Sequence, residues 1–148
     1  MKDSDPNLSY GYQSRATHRA FDRLLQQKLR KHNLANGFWY VLRVLWESEG
    51  MSQRELADAA NLTESSTVIM LENMKKAGLV RRQKDPADGR RQRVYLTPKA
   101  KHLKAKLLPL AFELNAIGAR DIDDADLTIY LRVAHKMRAN LKAARESN

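Results

Sequence analysis

The chain has 148 residues, enough for one domain with a substantial core and too few for two comfortable ones. It holds no cysteine, which removes disulfides, thiolate metal sites and thiol redox sensing, and its formal net charge of +10 favours a polyanionic partner such as nucleic acid or an anionic membrane surface. No apolar run reaches spanning length and no signal-peptide pattern follows Met1-Lys2-Asp3-Ser4, so a soluble, cytoplasmic protein is expected.

Residues 1–9, rich in Asp, Ser, Pro and Asn, read as a disordered terminus. A first helix is predicted from near Tyr12 to Lys31, with Phe21, Leu25 and Leu29 on one side. A second follows, with Leu34, Phe38, Val41, Leu42 and Leu45 at amphipathic spacing, ended by Gly50. Ser52-Gln53-Arg54-Glu55 is a capping box that opens a short helix carrying Leu56, Ala57 and Ala60. Asn61 suits the left-handed conformation of a short turn, and Thr63 caps the next helix, whose inner face is Thr67, Met70, Leu71 and Met74. Ala77-Gly78 stops it.

Leu79–Lys84 and Arg93–Thr97 then read as two strands joined by Asp85-Pro86 and Asp88-Gly89, which are turn dipeptides. Between Lys75 and Lys106 twelve Lys or Arg stand against two acids, so the basic excess of the whole chain is local. Two short helices joined by a turn, the second meeting a basic hairpin, have the layout of a winged helix-turn-helix. A small α+β core with a solvated basic face would carry the same pattern. The fold class expected is mainly α with a small β-hairpin wing.

Thr97-Pro98 is an N-cap followed by Pro at the first helical position. The helix it opens carries a seam of Leu103, Leu107, Leu110, Leu114 and Ile117, with Pro109 kinking it without ending it, and Gly118 closes it. A last helix from Asp123 or Asp124 carries Leu127, Tyr130, Ala134, Met137 and Leu141. These seams exceed what one winged helix covers, so they are read as packing against a second copy, with packing inside one chain as the alternative. The dimer interface expected from them is Leu107, Leu110, Leu114, Leu127, Met137 and Leu141. Catalysis finds no support. His18, His32, His102 and His135 have no ligand spacing, and no phosphate-cradling Gly loop or nucleophile elbow is present, so neither an enzyme nor a metal or cofactor site is expected.

Trp39-Tyr40-Val41-Leu42, Ser52-Gln53-Arg54-Glu55-Leu56-Ala57, Lys75-Lys76-Ala77-Gly78-Leu79-Val80 and the run from Asp88 to Thr97 resemble the MarR family of bacterial transcriptional regulators. The resemblance covers roughly residues 12–145. It implies a winged-helix homodimer, a repressor that binds a pseudo-palindromic operator in duplex DNA and releases it when a small molecule binds. By domain, it implies a dimerisation helix over 10–33, a DNA-binding winged helix over 34–97, and dimerisation helices over 98–148.

Carried onto this chain, the resemblance places Ser65, Ser66, Val68, Ile69 and Asn73 in the major groove, with Glu64 and Glu72 on the same face. Gln53 and Arg54 would meet a phosphate at a helix N-terminus. Arg90 would enter the minor groove, Arg91 and Arg93 would meet phosphates or else solvate the hairpin face, and Asp88 would orient the wing. The chain departs from the family at Ile69, where many members carry a basic residue. The family's effector pocket takes small aromatic acids, and Arg15, His18, Phe38, Trp39 and Arg43 would suit such an acid or its thioester. A ligand-independent architectural DNA-binding protein and a basic RNA-binding module remain as alternatives.

Overall fold

The structure, a computed structural model, describes residues 4–147. Within the stretch expected to be disordered the chain forms a capped 3-10 turn. The Asp5 carboxylate accepts from the Asn7 amide over a 3-10 turn, Pro6–Leu8, and Ser9 then caps α1 (Tyr10–Leu29), its hydroxyl accepting from the Tyr12 amide at 3.3 Å. Short polar residues that favour disorder by composition are also the residues that cap helices, and here capping prevails. Residues 1–3, the remainder of that expectation, lie outside the described residues.

A 3-10 turn, Arg30–His32, ends at Asn33 in the left-handed region, and α2 follows (Asn36–Leu45). Gly50 does not end α2. It lies beyond a short loop with φ +78°, a conformation that favours glycine, and a Cβ there would meet the Tyr95 hydroxyl closely, at 3.3 Å. The next two residues form a strand that alternation could not reveal, because two residues have no period. This β1 (Met51–Ser52) pairs antiparallel with β3 (Gln92–Leu96), and β3 also pairs with β2 (Val80–Lys84), giving the sheet order β1-β3-β2.

Between β1 and β2 lie α3 (Gln53–Ala59) and α4 (Glu64–Lys76). Both arms of the Ser52–Glu55 capping box are made, at 3.2 and 2.9 Å. Asn61 turns the chain with φ 56°, and the Thr63 hydroxyl accepts from the Ser66 amide at 3.1 Å. The inner face of α4 buries Thr67, Leu71 and Met74, and the Thr67 hydroxyl is satisfied by the Thr63 carbonyl at 2.8 Å. Gly78, with φ 72°, ends the helix.

A single core joins Leu25 and Leu29 of α1, Val41, Leu42 and Leu45 of α2, Leu56 of α3, Leu71 and Met74 of α4, and Val94 of β3. α5 (Pro98–Gly118) closes it. The Thr97 hydroxyl caps α5 at the Ala100 amide, and the helix passes through Pro109 without ending. The Trp46 indole donates to the Ala100 carbonyl at 2.9 Å, and Lys28 of α1 meets Glu113 of α5 at 2.6 Å. Leu107 and Leu114 are 0% and 5% exposed inside this core. They were expected to face a second copy, but their own chain covers them. A periodic apolar seam reports that a face is buried and says nothing of what buries it.

The chain divides into two compact units, one reaching to Leu114 and the other beginning at Asn115. In the second, Asp121 takes a left-handed turn and Asp123 stands at the N-cap of α6 (Asp124–Glu146), on which Leu127, Ala134 and Met137 are half-buried and Leu141 is exposed. No helix among the described residues is long and apolar enough to cross a membrane.

Candidate nucleic-acid interface

With its inner face spent on the core, α4 leaves Ser65, Ser66, Val68, Ile69 and Asn73 exposed. The two acids beside them are held by cations of the same chain. Glu72 lies 2.8 Å from the Arg82 guanidinium, though outside hydrogen-bond alignment, and Glu64 lies 3.5 Å from Arg54. These pairs blunt the repulsion that two carboxylates would otherwise present to phosphate. They also give Arg54 a protein partner in addition to any phosphate. Gln53, at the first position of α3, is half-buried, and its side-chain oxygen is enclosed with no protein hydrogen-bond partner.

The wing has a tied base and an open tip. Asp85, 7% exposed, closes the top of β2: its amide donates to the Arg91 carbonyl, and one carboxylate oxygen accepts from the Ala87 amide at 2.9 Å. The other accepts from Arg93 Nε at 3.0 Å, and Arg93 Nη2 lies at the same distance. Arg93 Nη1 reaches across to the Gly50 carbonyl at 2.7 Å. Arg93 sits on the central strand, opposite Ser52 on one side and Gln83 on the other, so its guanidinium can join the hairpin to the loop before β1. The Ala87 amide first, and then the Arg93 guanidinium, hold the Asp85 carboxyl below the usual carboxylate range against the opposing effect of desolvation. Lower on the hairpin, Arg81 stacks on its cross-strand partner Tyr95, 4.6 Å from the ring centre.

At the tip the same residue types are exposed. Asp88 accepts from the Arg90 amide at 3.0 Å and lies 4.0 Å from Arg91 Nε, so it shapes the turn more than it clamps a side chain. The Arg90 and Arg91 side chains point to solvent.

Of the residues expected around an effector, the structure brings Arg43 over the Trp39 ring at 5.9 Å, and Trp39 itself is buried edge-on against Trp46. Phe38 is half-buried, and Arg15 and His18 are exposed on α1. The His18 ring lies 5.9 Å from Tyr40, whose hydroxyl donates to Asp22 at 2.6 Å. Burial and then that carboxylate push the Tyr40 hydroxyl pKa up. A shallow cavity of about 230 Å³ lies elsewhere, lined by Leu45, Trp46, Glu49, Leu96, Lys101 and Lys104 among others.

The MarR family model matches residues 37–91, from the start of α2 to the wing tip. The HTH-type transcriptional regulator TtmR of Methylorubrum extorquens is 31% identical over 105 residues, 71% of this chain and 54% of that protein. The transcriptional regulator HosA of Escherichia coli O111:H- is 30% identical over 97 residues, 66% of this chain and 72% of that protein. The chain belongs to the MarR family. Its members are DNA-binding transcriptional regulators, not enzymes. The fold agrees: a MarR family regulator from Listeria monocytogenes, solved with a 26mer DNA, superposes with a TM-score of 0.82 at 19% identity, covering 90% of this chain and 89% of that one. The chain spans about half the length of TtmR.

Within this MarR chain the residues that sequence reasoning missed are those whose partners are distant. Asp85 reads in the sequence as turn chemistry alone, and its burial beneath Arg93 depends on the fold. Tyr40 and Asp22 stand on different helices and meet only when α1 packs on α2. The one signal available beforehand for Asp85 was a second Asp in a turn that needs only one.

Proposed function

We propose that a homodimer of this chain binds a pseudo-palindromic operator in duplex DNA as a repressor, and that a small aromatic acid or its thioester releases it. The observation that carries the DNA part is the junction of two exposed surfaces. The outer face of α4 meets the arginine-rich hairpin through the Glu72–Arg82 pair, so helix and wing are held together as one surface. In this reading Ser65, Ser66, Val68, Ile69 and Asn73 face the major groove, Arg90 the minor groove, and Arg91 and the N-terminus of α3 at Gln53 and Arg54 meet phosphates. Residues 34–97 form the reading head. A dimer, in which exposed apolar residues such as Leu141 find cover, sets two heads roughly 34 Å apart, one turn of duplex.

The test is salt-dependent binding by the full chain. Affinity for a selected duplex should fall linearly with salt on logarithmic axes, and it should exceed affinity for single-stranded RNA or anionic vesicles. Equal affinity for all three sinks the operator reading. The effector part is tested by a thermal-shift screen of aromatic acids and their thioesters, followed by DNA release with any hit. Arg15→Ala should then keep DNA affinity within a few-fold and lose most of the release, because a buried carboxylate needs its cation. An unchanged release titration removes Arg15 from the effector site.

A further inference from the structure

Val68 and Ile69 are 42% and 65% exposed on a helix whose inner face is already complete. Neither carries a donor or an acceptor. Pressed against base-edge nitrogen and oxygen they would strip water and return no hydrogen bond. The major groove offers one apolar group, the C5-methyl of thymine. Val68 and Ile69 are both β-branched and hold one preferred rotamer in a helix, so a methyl contact costs little ordering.

The neighbours on α4 do not supply a competing charged readout. Glu64 and Glu72 are engaged by Arg54 and Arg82, and the Ser65 and Ser66 hydroxyls lie 3.3 and 2.8 Å from the Thr63 hydroxyl. The cations of α4, Lys75 and Lys76, stand only in its last turn. Asn73, one turn beyond Ile69, carries an amide that suits adenine, the partner of thymine. We propose that Val68 and Ile69 read thymine C5-methyl groups, so that each operator half-site is specified by methyl contacts where a basic side chain would otherwise specify guanine. This rests on the DNA-binding reading above and names the base chemistry that the same surface selects.

The experiment begins with selection of a duplex from a random library by the full chain. Thymines in the selected site are then replaced one at a time by deoxyuridine, which keeps every hydrogen-bonding group and removes only the methyl. At one or two thymines per half-site the wild type should lose about fourfold in affinity, the equivalent of about 0.8 kcal/mol for a buried methyl-sized group. Ile69→Ala, checked for an unchanged melting curve, should bind the thymine and uracil duplexes equally at the position that Ile69 reads, and Val68→Ala should do so at its own. Uracil tolerated at every thymine by the wild type overturns the inference and leaves DNA binding standing. A uracil penalty that persists in both variants also overturns it, because something else then senses the methyl. A library that yields no enriched sequence overturns the operator reading, and this inference with it.

Discussion

The base and the tip of the wing are built from the same residue types and do opposite things with them. At the base, Arg93 is bound to Asp85 and to the Gly50 carbonyl, Arg82 faces Glu72, and Arg81 lies on Tyr95. At the tip, Arg90 has only its backbone amide engaged, and Arg91 lies at the limit of ion-pair distance from Asp88. An arginine engaged as Arg93 is, through Nε, Nη1 and Nη2, has few donors left for phosphate, and one left in water keeps them all. The basic hairpin is thus two devices in series: a tied frame and a free probe. Arg93, which the resemblance places at phosphate, is engaged by the frame through Asp85 and the Gly50 carbonyl.

The largest effect on DNA binding should come from the probe. Arg90→Ala should weaken operator binding by roughly 1–3 kcal/mol and leave the melting temperature unchanged. Measured by anisotropy at physiological salt, an unaltered affinity would remove the tip from the interface and collapse the contrast with the base. The frame should answer in the other currency. Arg93→Ala severs the link to Gly50 and leaves the nearly buried Asp85 carboxylate without its cation. The melting temperature should fall by roughly 5 °C, the effect of one charge-assisted hydrogen bond in a chain of this size. DNA affinity should fall as well, because the tip loses its support, but Arg93→Lys should restore part of the stability. A variant that melts like wild type and loses only affinity would return Arg93 to the phosphate-binding set.

What the sequence revealed divides along a similar line. Ser52 with Glu55, Asn61, Thr63 and Thr97 could be assigned in advance because a cap is made within one turn of the chain, and each does what its neighbours predict. The hairpin strands were legible from turn residues and alternation. The clip from Arg93 to Gly50 spans 43 positions, and no local pattern encodes it. Leu107 and Leu114 were legible as buried but not as buried by their own chain, since a period identifies a face and not its partner. For the candidate interface the reverse holds. The exposure of Val68 and Ile69 follows from the helical spacing of Thr67, Leu71 and Met74, which fixes the inner face and thereby the outer one.

The smallest effect concerns acid, and it separates frame from probe without touching an arginine. Asp85 has its carboxyl held below its ordinary value of 3.8, by the Ala87 amide foremost and then by Arg93. A carboxylate with a lowered folded-state value stabilises the fold fully above its unfolded value, and that contribution is lost as pH falls through the folded one. The Asp85 contribution should therefore be constant at neutral and mildly acidic pH and decline as pH falls below 3.8 toward the lower folded-state value. Other carboxylates titrate in the same range, so the readout is the difference between wild type and Asp85→Asn. The amide keeps an oxygen for the Ala87 amide but offers Arg93 no charge. The gap in melting temperature should be flat from about pH 7 to pH 4.5 and should close below, because protonation makes the wild type resemble the variant. A gap that does not narrow at all as pH falls below 3.8 would mean that the geometry of the turn, not the charge on Asp85, holds Arg93 in the frame.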